Sequence, residues 1–213
     1  IEGNNHVIDA DNQANVFKIT SGTVYINNLK IRNCDKSSVI LNDCILYTNN
    51  VTFENNHDSS EGGAIFAYGS EYYSSHDKFI NNYGNRGAAI FSSSSPKIEI
   101  DNSTFSCNKT LVWGLIYGEE SDITVKNTIF TNMSSRYATA IYSDKSRITV
   151  SNSKFINLFA NATAGAIGGK EADSIVIDGC SFINVTSSKN AGAIYLDMIS
   201  DNKYSGNPVT VSN

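Results

Sequence analysis

Apolar and polar residues alternate in short runs along the whole chain. Val24-Tyr25-Ile26, Ile98-Glu99-Ile100, Ile123-Thr124-Val125, Ile148-Thr149-Val150 and Ile175-Val176-Ile177 are examples. A period of two carried by β-branched and aromatic residues is the signature of β-strands. No stretch keeps a 3.6-residue period without Gly, Asn or Ser breaking it, so helices are not expected.

Each such run is followed by a Phe-x-Asn word. Its first position holds Ile31, Phe53, Phe79, Phe105, Phe130, Phe155 and Phe182, with Ile8 as an earlier member. Two residues later stand Asn33, Asn55, Asn81, Cys107, Asn132, Asn157 and Asn184. Further on comes a second word, centred on Ile40, Ile65, Ile90, Ile116, Ile141, Ile167 and Ile194, with Phe17 before them. Small residues often precede it, as in Gly63-Ala64, Ala88-Ala89, Gly165-Ala166 and Gly192-Ala193.

Three strand-like runs recurring every 25 residues or so describe a triangular coil. Each strand pairs with its copy in the next coil, about 4.8 Å away. The expectation is an all-β parallel β-helix of about eight coils, a solenoid occupying residues 1–213 as a single segment. A leucine-rich repeat has a similar period, but Leu is scarce and the L-x-x-L-x-L spacing is missing. A β-sandwich would not hold so regular a register. The loops vary most between the two words, as in residues 56–61 and 158–163, and the last coil, 198–213, is the least regular. The chain begins and ends within a repeat, which reads as a piece of a longer protein.

Strand alternation assigns sides. Phe53, Phe79, Phe105, Phe130, Phe155 and Phe182 face inward as a ladder of stacked rings. The Asn two residues on points the same way and is expected inside the next corner, tying the turn through an amide ladder; Cys107 interrupts it. The residue after the Ile of the second word then faces out. Leu41, Phe66, Phe91, Tyr117, Tyr142 and Tyr195 stand there, with Lys18 first and Gly168 as a gap. Spaced one coil apart, they form an aromatic stripe able to stack sugar rings or dock another protein, unless flanking loops cover it.

Composition narrows the function. A net charge of −5 with no basic runs argues against nucleic acid or an anionic membrane as main partner. No apolar stretch reaches membrane-spanning length. Four cysteines lack CxxC spacing, so a zinc or redox site is not expected. Cys34 and Cys44 sit at opposite ends of one strand, and Cys107 and Cys180 are about three coils, roughly 14 Å, apart. Four free thiols follow. Sequons at Asn50, Asn102, Asn108, Asn132, Asn161 and Asn184 permit glycosylation.

Catalysis on a β-helix needs carboxylates aligned on adjacent coils. Asp77, Asp101 and Asp178 stand at different offsets. Glu119, Glu120, Asp122 and Asp144 cluster near Lys145 and Arg147 and read as a solvated, ion-paired corner. His6, His57 and His76 are scattered surface residues, and no Ser occupies a nucleophile elbow. No metal site, cofactor or catalytic residue is assigned.

The words carry a resemblance. Phe53-Glu54-Asn55-Asn56 with Gly62-Gly63-Ala64-Ile65 resembles the repeat pair of the chlamydial polymorphic outer membrane proteins. Phe79-Ile80-Asn81-Asn82 fits the same pattern. The opening, Ile1 to Ala10 with Val16-Phe17-Lys18-Ile19-Thr20, is similar to adhesin-like surface proteins of methanogenic archaea. That resemblance covers nearly the whole chain and implies a right-handed β-helix, an extracellular or cell-surface location, and a role in cell adhesion. Free thiols would suit an anaerobic habitat of that kind. The resemblance supplies no catalytic residues.

The expected function is a non-enzymatic adhesin module that attaches to another cell or its glycans. It is not itself inserted in a membrane and would work beside other domains of its parent chain. A polysaccharide-active lyase or glycosidase, and a purely structural stalk, are the alternatives.

Overall fold

The computed structural model of the chain describes residues 1–197 and 209–212. It is all-β: parallel strands stack as a solenoid of about 8 turns, with copies about 26 residues apart. Three ladders run the length of the rod. The first sheet begins with Thr23–Asn27 and continues through 45–49, 71–75, 97–101, 122–126, 147–151, 174–178 and 209–212. The second carries the Phe words, from 7–9, where Ile8 pairs with Ile31, through 30–32, 52–54, 78–80, 104–106, 129–135 and 154–160 to 181–187. The third runs from 17–19 through 39–42, 65–68, 90–93, 116–119, 141–144 and 167–170 to 194–197. The long strand Thr23–Arg32 belongs to both the first and the second. The irregular last coil falls outside the described residues except for Val209–Ser212.

The Phe ladder is the spine of the core. Rings from Phe53 to Phe182 stack with centroids 4.4 to 5.1 Å apart and planes within 16° of parallel. Phe53 through Phe155 are sealed from solvent, and Phe182 is half-buried. Ile98, Ile123, Ile148 and Ile175 line a second wall, and Ile65, Ile90, Ile116, Ile141 and Ile167 the third. Burying one such side chain stabilises by roughly 1.5–3 kcal/mol, so the interior gains on every turn.

The Asn of each word does not point inside. Asn33, Asn55, Asn81, Asn132, Asn157 and Asn184 all adopt left-handed backbone, with φ between 51° and 56°. This conformation breaks the strand alternation, so the Asn turns outward and its successor turns in. Asn tolerates it better than other residues with a side chain, which is the physical reason for the repeat. An amide ladder exists, but on the outside: Asn157 donates to Asn132 at 3.1 Å, and Asn184 to Asn157 at 3.0 Å. The buried row is one residue later, at Cys34, Asn56, Asn82, Met133 and Leu158. Cys107, whose φ is not positive, joins that row directly.

The same device marks the other corners. Asn28, Asn50, His76, Asn102, Asn127 and Asn152 are left-handed where the first sheet turns into the second. Asp43, Ser94, Glu120, Lys145 and Glu171 are so where the third turns into the first. A small hydroxyl follows most of them. Ser121 Oγ donates to its own coil at Glu119 O (2.9 Å) and accepts from the backbone N–H of Ser95 (3.2 Å). Ser146 repeats this toward Ser121, and Ser153 toward Thr128. Corner amides that would be buried unpaired are thereby satisfied.

Replacing Phe105 with Ala should cost about 3–5 kcal/mol in denaturant unfolding, because its cavity is walled on two sides by stacked rings. Phe159→Ala, at a ring 44% exposed, should stay within about 0.5 kcal/mol of the parent. Equal losses at the two positions would overturn the assignment of inside and outside.

Candidate functional site

The aromatic stripe of the third sheet is outward-facing but covered. Phe91, Tyr117 and Tyr142 are only 2%, 5% and 7% exposed, and Phe66 and Tyr195 are half-buried. The segments leading into the third sheet fold back over it. Arg86 lies over Phe91 at 4.7 Å and Tyr117 at 5.7 Å, held by ion pairs to Glu61 and Glu119. Trp113 packs edge-on against Tyr117 and Tyr142 and stacks on Tyr137 at 3.9 Å. With Ala138 and Ala164 these rings form a second apolar cluster outside the coil. The expected open stripe is therefore a small outer core. Its register also differs at the start: Ile40 pairs with Phe66, and Leu41 faces inward, fully buried.

The exposed aromatic row lies on the first sheet. Tyr25, Tyr47 and Tyr73 stack with centroids 4.8 and 4.5 Å apart and planes 10° and 7° from parallel. Tyr25 is 55% exposed, and the other two are half-buried. Each sits between two inward residues of its strand, such as Leu46 and Thr48 around Tyr47. A parallel row two residues on, Asn27, Asn49, Ser75 and Asp101, offers amides, a hydroxyl and a carboxylate. Between the two rows runs a groove of about 450 Å³.

Charge closes one end of this row. Glu99 continues the line of Tyr25, Tyr47 and Tyr73 in register. Lys126 and Lys97, 3.0 and 3.1 Å away, hold its carboxyl below the usual range. Lys97 also lies over Tyr73 at 5.1 Å. The Tyr73 hydroxyl donates to Glu71 at 2.6 Å, a bond that raises its pKa.

The sequence pattern missed this row because Leu46-Tyr47-Thr48 and Tyr72-Tyr73-Ser74 lack the paired β-branched residues that mark their copies. Aligning them with Val24-Tyr25-Ile26 at the repeat period would have shown three tyrosines in register.

The candidate acids resolve differently from one another. Asp122 takes a two-pronged contact from Arg147, at 2.7 and 2.5 Å, and Lys145 approaches Glu171 at 4.0 Å. Only Asp122 forms the expected pair in this corner: Arg86 draws Glu119 toward the aromatic cluster, and half-buried Asp144 accepts from the Tyr117 hydroxyl at 3.4 Å. Asp101 borders the tyrosine groove. Asp77 is sealed inside the coil at 1% exposure, in the corner row that Ser103, Thr128 and Ser153 occupy elsewhere. It accepts from Thr48 Oγ1 at 2.5 Å, Ser74 Oγ at 2.6 Å and the Val51 N–H at 2.7 Å. Burial outweighs these bonds and pushes its pKa up to about 6.

Among the histidines, His57 stacks on Tyr83 and pairs with Asp35, and His76 contacts Ser75. All four cysteines are free; Cys34, Cys44 and Cys107 are buried. Burial pushes the Cys34 thiol up to about 11 and raises Cys107 as well, which leaves these sulfurs protonated and unreactive near neutrality. Among the described residues no group of His, Cys, Asp and Glu is arranged to hold a metal ion, and no helix is long and apolar enough to cross a membrane.

Two outcomes follow. Phe91→Ala should cost about 3–4 kcal/mol of stability, since the ring is buried beneath Arg86; unchanged melting would mean the cover is not formed. Asp77 binds its proton more tightly folded than unfolded, so the folded state holds the extra proton between about pH 4 and 6. Stability should therefore be highest below pH 4 from this group, fall by up to roughly 3 kcal/mol as pH rises to about 6, and stay flat beyond. Urea titrations across that range should show the slope, and Asp77→Asn should remove it.

No protein-family model, no curated protein and no solved structure matches this chain.

Proposed function

We propose that the chain is a non-enzymatic binding module of a cell surface, attaching through the Tyr25–Tyr47–Tyr73 row to the glycans or surface proteins of another cell. The carrying observation is that row itself: three stacked rings on the outer face of a sheet, one exposed and two half-buried, beside a line of hydrogen-bonding side chains. Aromatic edges and phenolic hydroxyls over a fixed backbone offer apolar contact at low entropic cost. The neighbouring Asn27, Asn49 and Ser75 supply donors and acceptors at one-coil intervals, which suits an extended, hydroxyl-rich partner lying along the rod.

Chemistry favours binding over turnover at this groove. Glu99 is held in its charged form between two lysines and is a poor proton donor near neutrality. The low charge, the acidic balance and the repeat are consistent with an extracellular module carried on a longer surface protein. Nucleic acid is disfavoured by net charge −5.

Tyr47→Ala combined with Tyr73→Ala should reduce binding on a glycan array or to whole cells at least tenfold, with folding retained because neither ring is part of the core. Unaltered binding would sink this reading. Release of reducing ends or unsaturated sugars from polysaccharides by the purified chain would favour the enzyme instead, and no binding to any glycan or cell would favour a stalk.

A further inference from the structure

The groove of the first sheet has a period. One bank is the row of Tyr25, Tyr47 and Tyr73, continued by Glu99; the other is the row from Asn27 to Asp101. Both advance one coil at a time. Four coil levels make three interstrand steps, about 14 Å along the rod. The rings keep this step, with centroids 4.8 and 4.5 Å apart.

The two banks differ in chemistry. The tyrosine planes lie within 10° of parallel, so each stacked face is taken by its neighbour and ring edges meet the groove. The Tyr73 hydroxyl is turned to Glu71, which does not line the groove, and this leaves the groove the C–H edge of that ring. On the opposite bank Asn27, Asn49 and Ser75 can each donate and accept. The occupant must therefore be apolar along one side and rich in hydroxyls along the other.

Charge narrows it further. The carboxylates of Glu99 and Asp101 sit at one end of the groove. Lys97 and Lys126 pair with Glu99, and Lys126 follows Asp101 in register. Two negative groups are thus matched by two positive ones, and the other three levels carry no charge. An uncharged chain fits this lining better than a uronan or a polycation.

Period then separates the classes of polymer. A peptide strand presents a side chain to one face every two residues, about 6.6 Å, and falls out of step with the coils within two levels. A chain of equatorially (1→4)-linked hexopyranoses is a flat ribbon that advances by close to one interstrand step, about 4.8 Å, per sugar. Successive sugars are flipped, so each level meets a different hydroxyl edge, which the amides and the serine accommodate by exchanging donor and acceptor roles. Axially linked chains curl and leave the groove.

We propose that the groove binds an uncharged, equatorially (1→4)-linked hexose chain lying along the rod, one sugar per coil from the Tyr25 level to the Glu99 level. This rests on the binding-module reading and adds to it the class and direction of the ligand.

The test is calorimetric titration of the purified chain with cello-, manno- and chito-oligosaccharides of one to six sugars, with malto-oligosaccharides as the curled control and an extended octapeptide as the protein control. At least one equatorially linked series should bind, with affinity rising up to about four sugars and level beyond. The malto series should bind at least tenfold more weakly. Tyr25→Ala, at an exposed ring on the end of the row, should leave melting unchanged and move the plateau down by one sugar. Asn49→Ala, at an exposed side chain in the middle of the other bank, should weaken every chain of three or more sugars several-fold. Affinity independent of length, equal binding of the malto series, a plateau that Tyr25→Ala does not move, or saturation by the octapeptide alone would each overturn the proposal. If array or cell binding still depended on Tyr47 and Tyr73 in such a case, the binding-module reading would stand without this ligand; no array or cell binding at all would sink both.

Discussion

Everything in this rod depends on like stacking on like at the interstrand spacing. Once each strand pairs in parallel with its own copy, every position in a coil is repeated above and below itself. An apolar ring then becomes a column, as from Phe53 to Phe182. A hydroxyl becomes a chain of corner bonds, as from Ser95 through Ser121 to Ser146. A charge is likewise set beside its copies: in one column Glu119 and Asp144 lie next to each other as like charges before Lys170 and Asp197 alternate. The stacking rewards uncharged residues, and a charged share of 17% follows from it.

The corners make the stacking possible. A strand must leave one sheet and enter the next within a few residues, and left-handed backbone at a single position achieves this. Asn is tolerated there, and Asp, Ser, His, Glu or Lys fill the same role where a polar tip reaches solvent. The flip costs about 1–2 kcal/mol in an ordinary L-residue and reverses the sense of alternation, which sends the next residue inward. Buried Asn56 and Asn82 show the consequence: each amide bonds to the backbone of a neighbouring coil, Asn56 to Ile31 O and Asn82 to Phe53 O.

Function is confined to what stacking leaves over. On the third sheet the outward rings are taken up by Arg86, Trp113 and their loops. On the first sheet the corners are short, nothing described folds back over Tyr25, Tyr47 and Tyr73, and the row stays open. Asp77 is an exception of another kind. It places a carboxyl in a column of hydroxyls, where three short hydrogen bonds do not fully offset its burial.

The repeat words alone determined the all-β solenoid, its three strands per coil, the inward Phe column and the free thiols, because strand alternation and repeat period are local properties that a chain displays directly. They did not determine which outward row would be open. That depends on where the segment between Asn81 and Ile90, or between Cys107 and Ile116, lies in space, and a loop's course follows from packing rather than from period. The Asn residues were legible as a ladder but not as an outer one, since a single left-handed residue reverses the alternation from which sides are read. Leu41 was misplaced for a related reason: a one-residue slip exchanges the faces of a strand, and only pairing with Ala67 fixed it. The tertiary structure thus decided that Tyr117 is core and that Tyr47 is surface, because both outcomes are set by what comes to lie against the sheet from elsewhere in the chain.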